Sequence, residues 1–223
     1  TGDVDFYAVS PALTDELVHH GFKYDMTSML KTITYSTVDE YNTTSRETKT
    51  NHDVMYAVAK GRNKTNNGTT AVQMNFKHIL SQVVFKAKTT SSILEVDVEY
   101  VKIHNFAHSG DFVLPEGEPK KSDWTPSPAI EGAYTVKLNG ANVVTKNSVV
   151  DLSDMASPLM MIPQELKKWS TYSDGTAVSK ADADKKTECY LEIKMKLKQN
   201  DSYLIGSAAE YKTVYVPFDN GED

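Results

Sequence analysis

Val72-Gln73-Met74-Asn75-Phe76-Lys77-His78-Ile79-Leu80-Ser81-Gln82-Val83-Val84-Phe85-Lys86-Ala87-Lys88 is the stretch that decides the fold class. Val72, Met74 and Phe76 alternate with Gln73, Asn75 and Lys77, which places three apolar side chains on one face of a strand. The alternation breaks over His78 to Ser81. It resumes with Val83, Phe85 and Ala87 facing one way and Lys86 and Lys88 the other. Two half-buried strand segments joined by a kink describe a chain that runs along a sheet and bends, as in a sandwich. On this reading Phe76, Leu80, Val83 and Phe85 are core residues, and His78 holds the bend as a buried or capping side chain. Phe85→Ala would then cost about 3–5 kcal/mol.

Working outward, the neighbouring segments also favour strands. Towards the N-terminus, strands are expected over residues 4–9, 30–38 and 53–60. A short helix is expected around Leu13, Leu17 and Val18, with Thr14 as its cap and Gly21 as its stop. Residues 39–52 are polar and Thr-rich and read as a loop. The Asn/Gly/Thr-dense segment Gly61–Thr70 reads as a connection and as the boundary between two domains, 1–70 and 71–223.

Towards the C-terminus, Glu95, Asp97 and Glu99 alternate with Val96, Val98 and Tyr100, while Val101 and Ile103 suggest cover on both faces at that strand's end. His108–Phe112 reads as a turn. Pro115–Pro128 holds four prolines and Trp124, and cannot enter a central strand. Asn139-Gly140 is a hairpin signal between strands at 134–138 and 143–152. Leu159–Gln164 is an apolar strand, Glu165–Lys186 a polar loop, Cys189–Lys198 an alternating strand and Thr213–Phe218 the last one. Lys194, Lys196 and Lys198 form a row of opposite sign to Glu95, Asp97 and Glu99, and would make cross-strand pairs if the two strands are neighbours.

Composition narrows the function classes. The 223 residues can bury a sizeable core. With 24 Lys and Arg against 30 Asp and Glu, the chain is acidic, and its one basic doublet, Lys185-Lys186, is isolated. Nucleic acid is therefore not an expected partner, since phosphate neutralisation supplies much of that affinity. Cys189 is the only cysteine, so disulfides and Cys-ligated zinc play no part, and it reads as a small core residue. No apolar run approaches the roughly 20 residues that span a bilayer. A start at Thr1 is what a trimmed chain would show.

No nucleophile, phosphate-loop, dinucleotide or zinc-helix motif occurs, and no catalytic residue, metal or cofactor is expected. His104 and His108 stand four apart without a helix to bring them together. Trp124 and Trp169 are candidate aromatic surface for a glycan, set against the ordinary role of Trp as core or loop anchor.

Several segments resemble elements of the fimbrillin family, the pilins of Bacteroides-type anaerobes. They are Phe6-Tyr7-Ala8-Val9-Ser10-Pro11, Asp53-Val54-Met55-Tyr56-Ala57, the stretch Val72–Phe85 with its Phe76-Lys77-His78 core, Leu159–Gln164 and Val214–Phe218, in that order. The family's terminal Trp-x-Pro-Gly-Lys segment and its long N-terminal portion are not in this chain. The resemblance implies an all-β protein with two transthyretin-like Greek-key β-sandwich domains, the first incomplete here. It also implies export as a lipoprotein precursor to the cell surface, trimming, and polymerisation into fimbriae through a strand inserted from another copy or a related subunit. Cell adhesion through a host-surface protein or glycan follows from the same resemblance. The alternative, from another class, is a surface glycan-binding β-sandwich lipoprotein.

Overall fold

The structure, a computed structural model, describes residues 2–19, 21–37, 52–127, 133–136, 138–140, 143–145, 147–156, 158–169, 178–184 and 187–218. The loop expected over 39–52 (except His52), the Lys185-Lys186 doublet and most of the central part of the 165–186 loop lie outside the described residues. In chain order the first elements are β1 (Val4–Ser10), helix α1 (Asp15–His19), β2 (Lys23–Asp25), β3 (Thr32–Ser36), β4 (Met55–Arg62) and helix α2 (Lys64–Asn67). Then come β5 (Lys77–His78), β6 (Ser81–Val83), β7 (Lys86–Lys88), β8 (Leu94–His104), β9 (Ser109–Val113) and β10 (Trp124–Pro126). The rest are β11 (Ala133–Val136), β12 (Val143–Val144), β13 (Val149–Asp151), β14 (Leu159–Met161), helix α3 (Lys180–Ala183), β15 (Tyr190–Gln199), β16 (Ser202–Ile205) and β17 (Lys212–Pro217).

The chain is an all-β protein in which antiparallel sheets enclose two large apolar clusters. Around the first cluster lie the sheet β1-β4-β5 and the sheet β10-β9-β3-β2. Ile33, Tyr35, Val54, Tyr56, Phe112 and Trp124 fill the space between them. Around the second, β8 and β15 run side by side, flanked by β11 and β12 on one side and by β16 and β17 on the other. Opposite this sheet, among the described residues, stand two short pairs, β6 with β14 and β7 with β13. Val98, Val101, Ile103, Leu159, Met161 and Cys189 lie between the layers. Cys189 is wholly buried there, and burial pushes its thiol up to about 12.

Local chemistry explains the ends of several elements. Thr14 caps α1, its Oγ1 accepting from Leu17 N at 3.3 Å, and Gly21 ends it in the left-handed region at φ 79°. Asn63 caps α2 by accepting from Asn66 N at 2.8 Å. Pro126 sits on the edge strand β10, where its missing N–H costs no ladder bond.

Four expectations are corrected. Residues 72–76 carry no strand; pairing begins only at Lys77, on Tyr56. His108–Phe112 is no turn: β9 is an inner strand of its sheet, with Phe112 fully buried. The Asn139-Gly140 segment closes no hairpin between its flanking strands, since β11 and β12 both pair with β8 and β13 crosses to β7.

The fourth correction is a bulge. Lys194 pairs with Tyr100 but Met195 with Val98, so Glu99 is an extra residue in β8. The bulge flips the phase of the strand. Tyr100 turns outward, and Val101 and Ile103 join Val98 on the inner face instead of covering a second one. Residues on both sides of 61–70 share hydrogen bonds, through β4 and β5, and share the first cluster, through Tyr56 and Ile79.

Candidate assembly surface

The organising stretch passes from one cluster to the other, and that passage sets the fate of its residues. Ile79 is buried at the first cluster with Leu80 packed beside it, whereas Val83, Phe85 and Ala87 pack against the second. Because consecutive apolar residues serve different cores, the period-2 pattern cannot continue through the seam. Phe76 falls on the wrong side of the change and stands 46% exposed, which corrects its placement in the core. His78 is likewise exposed and not buried: its Nδ1 lies 2.5 Å from Asp53 Oδ2, across the β4–β5 pair. Ile79, not singled out in the sequence, takes the structural role. Its amide donates to Val54 O at 3.0 Å, and its carbonyl accepts from Trp124 Nε1 at 3.1 Å. Its signal was the apolar pair Ile79-Leu80 inside the apparent break.

Neither candidate aromatic platform is on the surface. Trp124 is buried in the first cluster against Phe112, and Trp169 is buried in a third, small cluster with Ala183 and Tyr190. This corrects their assignment as exposed stacking residues. The tyrosines on the outer face of the long sheet are covered as well. Lys196 lies 4.1 Å over the Tyr211 ring, Lys102 4.9 Å over Tyr100 and Lys198 5.2 Å over Tyr203.

That outer face is the charge ladder expected from the sequence. Lys194 Nζ meets Glu99 at 2.8 Å and Lys198 Nζ meets Glu95 at 3.3 Å. Lys196 instead donates to Ala208 O at 2.8 Å, while Asp97 accepts from Tyr211 OH at 2.7 Å, which lifts that phenol to about 12. At the end of the face Glu192 accepts from Tyr100 OH at 2.6 Å and sits 2.9 Å from His104 Nε2. His104 stacks on Tyr190 with centroids 4.4 Å apart, and burial holds its imidazole below the usual value. Each of these groups has a structural partner. Among the described residues no cluster of three or more His, Cys, Asp or Glu side chains is arranged to hold a metal ion.

What the surface does offer is unpaired strand edge. Among the described residues β1 pairs only with β4, and its Val4 and Phe6 are 53% and 41% exposed. Among the described residues of the second sandwich, a long sheet four strand positions wide faces a layer two positions wide. Among the described residues, the far side of β6 and β7 carries no strand. Along that edge Val83, Phe85 and Ala87 are only half-buried. An edge of this kind exposes main-chain donors and acceptors beside an apolar floor, which is what an added strand satisfies. No helix among the described residues is long and apolar enough to cross a membrane.

Comparison with known proteins agrees with this architecture. A family model described as fimbrillin-like matches residues 1–209. A solved structure, a fimbrial protein from Bacteroides vulgatus, superposes with a TM-score of 0.56 at 15% identity, covering 95% of this chain. This chain spans 66% of the length of that protein. Among curated proteins none matches.

Proposed function

The chain belongs to the fimbrillin-like family, and from that premise we propose that it is a structural subunit of a bacterial surface fimbria that polymerises by β-strand insertion and serves cell adhesion. Its partners on this reading are further copies or related fimbrillin subunits, with a host-surface protein or glycan as the target of adhesion. Its site of action is the cell surface, reached by export as a lipoprotein precursor. That the two sandwiches are transthyretin-like domains belongs to the same proposal.

The single observation that carries the reading is the two-strand layer over the second cluster, with its unpaired β6–β7 edge and half-buried floor. A strand laid along that edge would pair its main chain with β6 and β7 and place alternate side chains over Val83, Phe85 and Ala87. At roughly 25 cal/mol per Å2 of apolar area removed from water, such a seam holds without ion pairs. The glycan-binding alternative loses its two tryptophans to the core and its tyrosine faces to lysine ammonium groups.

The test is assembly in salt. Purified protein is followed by sedimentation and negative-stain electron microscopy, with and without about 1 M sodium chloride, where exposed charges are screened within about 3 Å. Filaments that persist in salt are expected. A chain that stays monomeric at every concentration, or filaments that salt dissolves, would overturn the reading.

A further inference from the structure

We infer that the two sandwiches move as one rigid body, clasped at their seam by the side-chain amide of Gln164 with Thr37 as a second tie. The chain changes cluster at several places, among them 79–83, 104–109 and 159–164. In each the burial switches clusters within a few residues. Phe106 belongs to the second cluster and Ala107 to the first; Met161 belongs to the second and Ile162 to the first. A crossing of this kind leaves main-chain groups outside both sheets, and such groups need partners when buried.

Gln164 supplies two of them. Its Oε1 accepts from Ala107 N at 2.7 Å, and its Nε2 donates to Ala107 O at 2.9 Å. A primary amide used this way copies one rung of a β-ladder, although Gln164 itself lies outside any strand. The same Nε2 also reaches Ile162 O at 3.3 Å, closing the turn on its own chain. Thr37, buried at the end of β3, ties the same two crossings from the other side. Its amide donates to His108 O at 2.7 Å and its Oγ1 to Met160 O at 3.0 Å. These two crossings are thus joined to each other and to the first sandwich, through Ala107 and His108 on one and through Met160 and Gln164 on the other.

A clasp of this kind fixes the angle between the sandwiches in the free subunit. The inference is independent of the fimbrial reading, because it concerns one chain in solution. The experiment is hydrogen exchange by mass spectrometry on the full chain across a denaturant series. It compares peptides from β8 and β15 with peptides from β3 and β9. In the wild type both sets should lose protection at one denaturant concentration, and the peptide holding Ala107 should be as protected as the strands.

Gln164→Ala should split the two transitions and speed exchange at Ala107 roughly tenfold or more, the scale of losing two neutral hydrogen bonds. Thr37→Val, nearly isosteric, should act in the same direction more weakly, and it serves if Gln164→Ala does not fold. Separate transitions in the wild type would overturn the rigid-body inference. Coincident transitions with unchanged Ala107 exchange in both variants would overturn the role of the clasp.

Discussion

The two sandwiches are built from the same strand chemistry and read very differently from sequence. The long sheet of the second faces water on one side, so β15 and the part of β8 before the Glu99 bulge show clean alternation, and two of their cross-strand charge pairs follow from the residue order. The first sandwich is assembled from pieces scattered along the chain: β1 to β5, then β9 and β10, then Ile162. Its core residues arrive on segments that leave for the other sandwich a few positions later. Alternation reports a face reliably only while a strand serves one core. The difference marks where to push on each sandwich.

The largest effect should come from the centre of the first core. Phe112→Ala, at a fully buried side chain packed on Tyr56 and Trp124, should cost about 3–5 kcal/mol in chemical denaturation. Phe85→Ala, at a half-buried side chain, should cost less, about 1–3 kcal/mol. Phe76→Ala should stay within about 0.5 kcal/mol of wild type. A loss at Phe76 as large as that at Phe112 would break the comparison, since the sequence pattern alone places Phe76 in the core and Phe112 in a turn.

Next in size is Gly110→Ala in β9. A Cβ there would lie 2.9 Å from Thr125 O and 3.1 Å from Pro126 Cα, both main-chain atoms that cannot swing away. A loss of about 1–3 kcal/mol is expected from thermal or denaturant unfolding, as for other overpacked sites. An unchanged midpoint would mean that β9 and β10 are not held at this separation.

On the outer face of the second sandwich the effects are electrostatic and smaller. Burial lowers the folded-state pKa of His104 below the ordinary value of 6.5. A depressed histidine contributes fully above pH 6.5, and that contribution is lost as pH falls through the folded value, because the unfolded chain takes the proton first. The stability difference between wild type and His104→Gln should therefore shift against wild type on acidification below about pH 6.5. An NMR titration placing the His104 midpoint above 6.5 would reverse the sign. Lys198→Ala should lower the denaturation midpoint only slightly, and less in salt, because both it and its partner Glu95 are partly exposed.

The residues explain what was legible. The two rows of charge, the α1 cap at Thr14, the exclusion of Pro115–Pro128 from a central strand and the buried strand Leu159–Met161 each depend on neighbours close in sequence or on one face of one strand. The exposure of Phe76, the inner position of β9 and the outward turn of Tyr100 do not. They depend on a bulge at Glu99 and on a seam between two cores, which residue order alone does not locate. Gln164 carried a faint signal, a polar residue just past an apolar strand and Pro163. Its partner Ala107 lies 57 residues away. The candidate assembly edge was invisible for the same reason: a missing neighbour leaves no mark on the strand that lacks it.

The central claim is that the β6–β7 edge is completed by another subunit. Electron cryo-microscopy of assembled filaments tests it most directly. The expected result is a strand from a neighbouring subunit hydrogen-bonded along Ser81–Val83 and Lys86–Lys88, with alternate side chains against Val83, Phe85 and Ala87. A strand from the same chain filling that edge, or subunits that touch only through loops, would contradict it.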